Sequence, residues 1–160
     1  MKPREKIAHR RIVIHKEART LELFDGDKFV KIYKISLGKT PVGDKEIEGD
    51  GKTPEGEFYV FTKNKKSNFY LSLGLSYPNE EDADRGLAAN LITKSEHYEI
   101  VDAISENKMP PQKTKLGGEI YIHGGGADSD WTQGCIALSD YNVKELFDMV
   151  PVGTTVQILP

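Results

Sequence analysis

The chain has a single cysteine, Cys135. One thiol cannot form a disulfide within the chain, nor can it build a cysteine-rich metal site. The four histidines (His9, His15, His97, His123) show none of the close pairing, such as His-x-x-x-His, that zinc favours, so no metal is expected. Positive charge is not in surplus. Lys and Arg number 22 against 25 Asp and Glu, a formal net charge of −3, which argues against nucleic acid as a partner. No apolar run approaches the roughly 20 residues that cross a bilayer, so no membrane span is expected. The basic start (Lys2, Arg4, Lys6, Arg10, Arg11) leads directly into a strand-like segment rather than an apolar signal core, so no export signal is legible. There is no Gly-x-Ser-x-Gly elbow, which leaves serine hydrolase chemistry without support. Gly38-Lys39-Thr40 and Gly51-Lys52-Thr53 look like the end of a phosphate-binding loop. Both lack the glycine five positions earlier, where Tyr33 and Glu46 stand.

What is present is ordinary for a soluble domain: 160 residues, 38% hydrophobic and 29% charged. The organisation expected is a basic tail over residues 1–10 and one domain over 11–160. Arg11–His15, Thr20–Phe24, Phe29–Leu37, Glu57–Thr62, Phe69–Ser76, Glu119–His123 and Thr154–Leu159 read as strands. Asp25-Gly26-Asp27 makes a hairpin turn between the second and third. Gly38–Gly56, dense in Gly, Pro and charge, reads as loop. Thr93 with Glu96 fits a capping box opening one helix. A second begins at Ser139, with Val143, Leu146, Phe147 and Val150 at i, i+3, i+4, i+7 and Pro151 stopping it. The fold class expected is mainly β with peripheral helices.

The chemistry concentrates in His123-Gly124 and Thr132-Gln133-Gly134-Cys135-Ile136. His123 ends an apolar strand, and Cys135 follows twelve residues later behind a glycine. An imidazole beside a thiol can take its proton. The imidazole then needs an acceptor on its other nitrogen, which the Gly124 carbonyl could provide. An attacked carbonyl needs N–H donors for its developing oxyanion, and the backbone of Gly134 and Cys135 suits that. On residue pattern alone a buried structural cysteine remains the competing reading.

These segments resemble the signature of the L,D-transpeptidase catalytic domain, also called YkuD-like: a His-Gly pair, then Ser/Thr-x-Gly-Cys-Ile/Val. Pro41-Val42-Gly43, Gly49–Gly56, Leu73–Asn79 and Val150–Thr154 resemble the same family, in the branch with Gly-Cys-Ile-Ala at the nucleophile. The resemblance covers about Arg11 to Pro160. It implies a β-sandwich-like domain acting on peptidoglycan stem peptides, without a cofactor, in the periplasm or cell envelope. Cys135 would be the nucleophile, His123 the base and Gly124 the acceptor that orients it. The Gly134 and Cys135 amides would be the oxyanion donors. The thioester would pass to an amine of a second stem or of a lipoprotein. Water in the amine's place would make the protein a carboxypeptidase or lipoprotein-releasing amidase, and a third reading is a noncatalytic wall-binding module. The chain departs from the commoner pattern at Thr132 for Ser, Gln133 for His and Ala137 for Arg. Arg85 and Lys115 are candidates to replace the charge missing at 137. Tyr77 and Asn79 could line the donor groove or make a turn around Pro78, and Trp131 and Thr132 are further substrate-binding candidates. For Trp131, packing on the core is equally open.

Overall fold

The computed structural model describes residues 9–160. Most of the expected basic tail lies outside the described residues, and its last residue, Arg10, opens the first strand. The strands are β1 (Arg10–His15), β2 (Thr20–Asp25), β3 (Lys28–Lys34), β4 (Gly56–Ser67), β5 (Tyr70–Leu75), β6 (Tyr121–His123), β7 (Ile136–Ala137) and β8 (Thr155–Leu159). The helices are α1 (Glu80–Ala88), α2 (Lys94–Ser105) and α3 (Asp140–Met149). The fold is mainly β with helices at the periphery.

All eight strands join one sheet in the order β3-β2-β1-β8-β4-β5-β6-β7. The long strand β4 belongs to both halves: Gly56–Tyr59 pair with β8, and Val60–Ser67 pair with β5. The sheet curls until its two edges meet. After β3 the chain bridges Ser36 to Ala137 and Gly38 to Thr132, so β7 is flanked by β6 on one side and by residues 36–38 on the other. Ser36 and Ala137 exchange backbone hydrogen bonds of 2.9 and 3.0 Å. A two-residue strand thus gains neighbours on both edges.

Inside the curl lie alternate residues of the strands, among them Ile12, Ile14, Leu21, Leu23, Leu73 and Leu75. The α3 stripe Val143, Leu146 and Phe147 joins the same core and packs α3 against β5 and β6. Full burial of one such side chain stabilises by about 1.5–3 kcal/mol. Ser139 caps α3 through Asn142 N–H, and Thr93 and Glu96 form the reciprocal capping box of α2.

Helix α1 was not anticipated. It carries a capping box of its own, Asn79 with Asp82, but no apolar stripe. Its inner face is Asp82, Ala83 and Gly86. A Cβ at Gly86 would stand 2.7 Å from the Leu116 side chain, so a small residue is what lets the helix lie close. With α2 it encloses a second, smaller cluster: Ala83, Ile92, Ile100 and Leu116.

The 38–56 segment is loop, as composition suggests, yet it is anchored from within. Lys16 is buried and donates to the carbonyls of Gly43 and Thr53, both at 2.8 Å, and to Glu55 at 3.0 Å. Lys45, only 3% exposed, donates to Ile47 O and Asp50 Oδ1, both at 2.9 Å. Burying an ammonium is costly unless it is paired and hydrogen-bonded, and both lysines meet that condition.

Candidate active site

β6 and β7 run parallel, with Ile122 level with Ile136 and His123 level with Ala137. Cys135 immediately precedes β7, beside Tyr121. The Tyr121 N–H donates to Cys135 Sγ at 3.4 Å, and the thiol donates to the Glu119 carbonyl at 3.3 Å. The Tyr121 phenol has its pKa raised first by burial and then by the charges of Glu119 and Cys135. By strand alternation Tyr121 and His123 share a face. Cys135 stands one residue ahead of the β6–β7 register, and its sulfur binds the backbone N–H of the residue two before His123. Among the described residues no hydrogen bond joins the sulfur and the imidazole directly.

The sulfur borders a pocket of about 250 Å³ whose walls include Lys45, Glu48, Gly117, Glu119 and Gln133. Burial pushes the Cys135 thiol up to about 11, against the Tyr121 N–H that favours the thiolate. The resting group is a thiol, and it must lose its proton as it reacts.

His123 is 3% exposed. Its Nδ1 lies 2.5 Å from the Gly124 carbonyl. A carbonyl only accepts, so Nδ1 carries the proton and Nε2 has the free lone pair. Phe69 stacks on the imidazole with centroids 4.4 Å apart, and Trp131 meets it edge-on at 5.6 Å. Burial holds His123 below the ordinary histidine value, opposed by the bond to Gly124. The ring is neutral near neutral pH and can accept a proton.

The loop ahead of Cys135 is shaped by Thr132 and Gly134. Thr132 Oγ1 donates to the Cys135 carbonyl at 2.7 Å and accepts the Gly134 N–H at 3.1 Å. Gly134 has φ +143°, and a Cβ there would stand 2.8 Å from the Lys52 carbonyl. Glycine is what allows the two loops to touch. Of the two amides expected to face an oxyanion, that of Gly134 is engaged by Thr132, and that of Cys135 has no partner among the described residues.

Several candidate substrate contacts turn out to be structural. Tyr77 is 0% exposed, its hydroxyl donating to Leu116 O at 2.6 Å, so it cannot line a groove. An apolar ring with one satisfied hydroxyl is stabler in the core than beside Pro78 in solvent. Asn79 is the N-cap of α1, and its amide donates to Glu57 O. Thr132 is buried and holds the Cys135 loop rather than facing the pocket. Arg85 is tied to Lys45 O and Asp82, and Lys115 is exposed with its carbonyl accepting Glu48 N–H. Neither lines the pocket, where the cation present is Lys45. Ala137 itself is fully buried between β6 and Ser36, which leaves no room for a long charged side chain. Trp131 donates to Gly126 O and packs on Phe69 and His123. Lys45, Phe69 and Tyr121 were not singled out as site residues from sequence. The sequence places Phe69 at the start of a strand, and only the structure shows it at the hairpin tip between β4 and β5.

Residues 9–158 match the family model of the L,D-transpeptidase catalytic domain. The chain is 28% identical over 146 residues to YafK of Escherichia coli, covering 87% of this chain and 46% of that protein. It is 27% identical over 150 residues to YkuD of Bacillus licheniformis, covering 94% and 66%. Both relatives carry L,D-transpeptidase names. The chain thus spans about half the length of the first and two thirds of the second. Among solved structures, the helical cell shape determining protein Pgp2 of Campylobacter jejuni superposes with a TM-score of 0.64 at 23% identity, covering 98% of this chain and 51% of that one. The L,D-transpeptidase LdtMt1 in complex with imipenem gives 0.54 at 17% identity, covering 95% and 59%. These two likenesses establish the fold.

Proposed function

The chain belongs to the L,D-transpeptidase catalytic domain family, and on that premise we propose that it is a peptidoglycan acyltransferase with Cys135 as nucleophile and His123 as general base. The observation that supports this reading is the Tyr121 N–H bond to Cys135 Sγ, which ties the thiol, on a pocket, to the backbone two residues ahead of His123.

In the reaction proposed, His123 Nε2 takes the thiol proton as Sγ attacks the carbonyl carbon of the third stem-peptide residue. The Cys135 N–H faces the developing oxyanion, and the Gly134 N–H joins it if Thr132 releases it. The C–N bond to the terminal D-alanine breaks, the imidazolium protonates the departing amine, and a thioester remains. An acceptor amine then attacks the thioester, gives its proton to His123, and sulfur leaves as thiol. The Gly124 carbonyl steadies the imidazolium in both steps. The acceptor is an amine of a second stem or of a lipoprotein. This substrate implies work in the cell envelope. Among the described residues no helix is long and apolar enough to cross a membrane.

The test has two arms. Incubation with a carbapenem should add its mass to Cys135 and leave Cys135→Ser unmodified. Muropeptides from sacculi treated with the protein should show new 3→3 dimers. Tripeptides or freed lipoprotein instead would mean that water is the acceptor, and sacculi left unchanged alongside an unmodified Cys135 would sink the enzymatic reading.

A further inference from the structure

A tight turn joins β4 to β5. β4 ends at Ser67 and β5 starts at Tyr70, so Asn68-Phe69 is a two-residue tip. Here the second residue is phenylalanine, 43% exposed. The next residue, Tyr70, has φ +75°, a left-handed conformation that favours glycine. Local chemistry is overridden at Tyr70, and such a conflict marks a place where a long-range requirement decides.

The long-range partner is His123. The Phe69 ring lies nearly parallel to the imidazole, 21° apart with centroids at 4.4 Å. Its carbonyl accepts the Gly124 N–H at 3.0 Å, and the Gly124 carbonyl in turn binds Nδ1. One residue therefore holds both the plane of the base and the peptide that sets its tautomer. Trp131 closes the cage, edge-on to both Phe69, at 5.3 Å, and His123.

We propose that Phe69 is a positioning residue: from the hairpin tip its ring fixes the His123 imidazole and screens it from water, keeping Nε2 free to take the Cys135 proton. The proposal rests on the transpeptidase reading for its consequence, but the contact itself can be tested without turnover.

The experiment uses the full chain as wild type, Phe69→Ala and Phe69→Tyr, with a tetrapeptide-bearing muropeptide as donor and acceptor. Phe69→Ala should lower kcat about 10- to 100-fold, the scale on which a misplaced catalytic group acts, with little change in KM. Admitting water to the imidazole favours its protonated form, so the acid limb of the rate profile should move to higher pH. Phe69→Tyr keeps the aromatic face and should restore both. In parallel, NMR titration of the His123 ring nitrogens should show a higher midpoint in Phe69→Ala, nearer the ordinary value of about 6.5. If the alanine variant fails to fold, Phe69→Leu should move both readouts in the same direction. A wild-type rate profile and an unmoved midpoint, even with a lowered melting temperature, would overturn the proposal and leave Phe69 a structural residue. Absence of turnover in the wild type would overturn the transpeptidase reading alone, and the NMR arm would still decide the role of Phe69.

Discussion

The backbone N–H of Tyr121 points at the sulfur of Cys135, 3.4 Å away. This contact ties the segment ahead of β7 to the strand that ends in His123, so the separation of thiol and imidazole is set by sheet register rather than by loop flexibility. It also sets two influences against each other at the sulfur. The N–H favours a thiolate, and the Glu119 carbonyl, accepting from the thiol, favours the neutral form. Burial decides the balance, and the thiol is pushed up to about 11.

Alkylation should therefore be slow at neutral pH. Since the thiolate is the reacting form, the rate of iodoacetamide labelling of Cys135 should rise about tenfold per pH unit between pH 7 and 10. Mass spectrometry of timed samples gives the profile. A plateau already reached at pH 7 would mean that the resting group is a thiolate.

His123 is held below the ordinary histidine value by burial, so its neutral, proton-accepting form persists into mildly acidic solution. Acylation of Cys135 by a carbapenem should keep its rate as pH falls to the usual histidine midpoint of about 6.5, and decline only below it. His123→Ala should cost about 10²- to 10⁴-fold in that rate. An equally fast alanine variant would remove His123 from the role of base.

Thr132 makes two hydrogen bonds with one hydroxyl, to Cys135 O and from Gly134 N–H. Thr132→Val keeps the shape and strands both backbone groups. It should destabilise the fold by about 1–3 kcal/mol and depress acylation, with Thr132→Ser close to wild type. Urea unfolding read beside acylation rates checks this. Normal stability and rate in the valine variant would show that the loop holds its shape without the hydroxyl.

Burial alone would raise Asp50, but the Lys45 ammonium and the amides of Glu46, Ile47 and Lys52 hold its carboxyl below the usual range. A depressed carboxyl stabilises the fold above its unfolded pKa, and that contribution disappears as pH falls through the lower folded value. Asp50→Asn leaves the buried Lys45 charge without its counterion. It should cost about 3 kcal/mol at neutral pH, or about 6–12 °C in melting temperature, and flatten the acid side of the stability curve. Thermal melts from pH 2.5 to 7 measure both effects.

Much of the scaffold is readable from residue order because it rests on local periodicity. The β-branched run of β1, the leucine alternation along β2 and β5, the Thr93–Glu96 box and the Ser139 cap each act within one turn or strand. Helix α1 escaped because what it buries is a carboxylate, an alanine and a glycine, whose burial depends on Leu116 thirty residues away in sequence. The 38–56 segment reads only as loop because composition does not reveal that Lys16, from outside it, turns inward to the Gly43 and Thr53 carbonyls, or that Lys45 folds back onto Ile47 O and Asp50.

Residue order alone determined the mainly β character, the two capped helices and the family to which the chain belongs, since each depends on patterns a few residues long or on a short motif. Tertiary structure alone decided what stands beside the thiol. It is sheet closure that sets β7 between β6 and residues 36–38, and a hairpin tip a third of the chain away that covers His123. The same packing put Tyr77 in the core and Lys45 at the pocket. The physical reason is that burial and register are properties of contacts between remote segments, and they fix the protonation, exposure and neighbours of a side chain that the linear order only names.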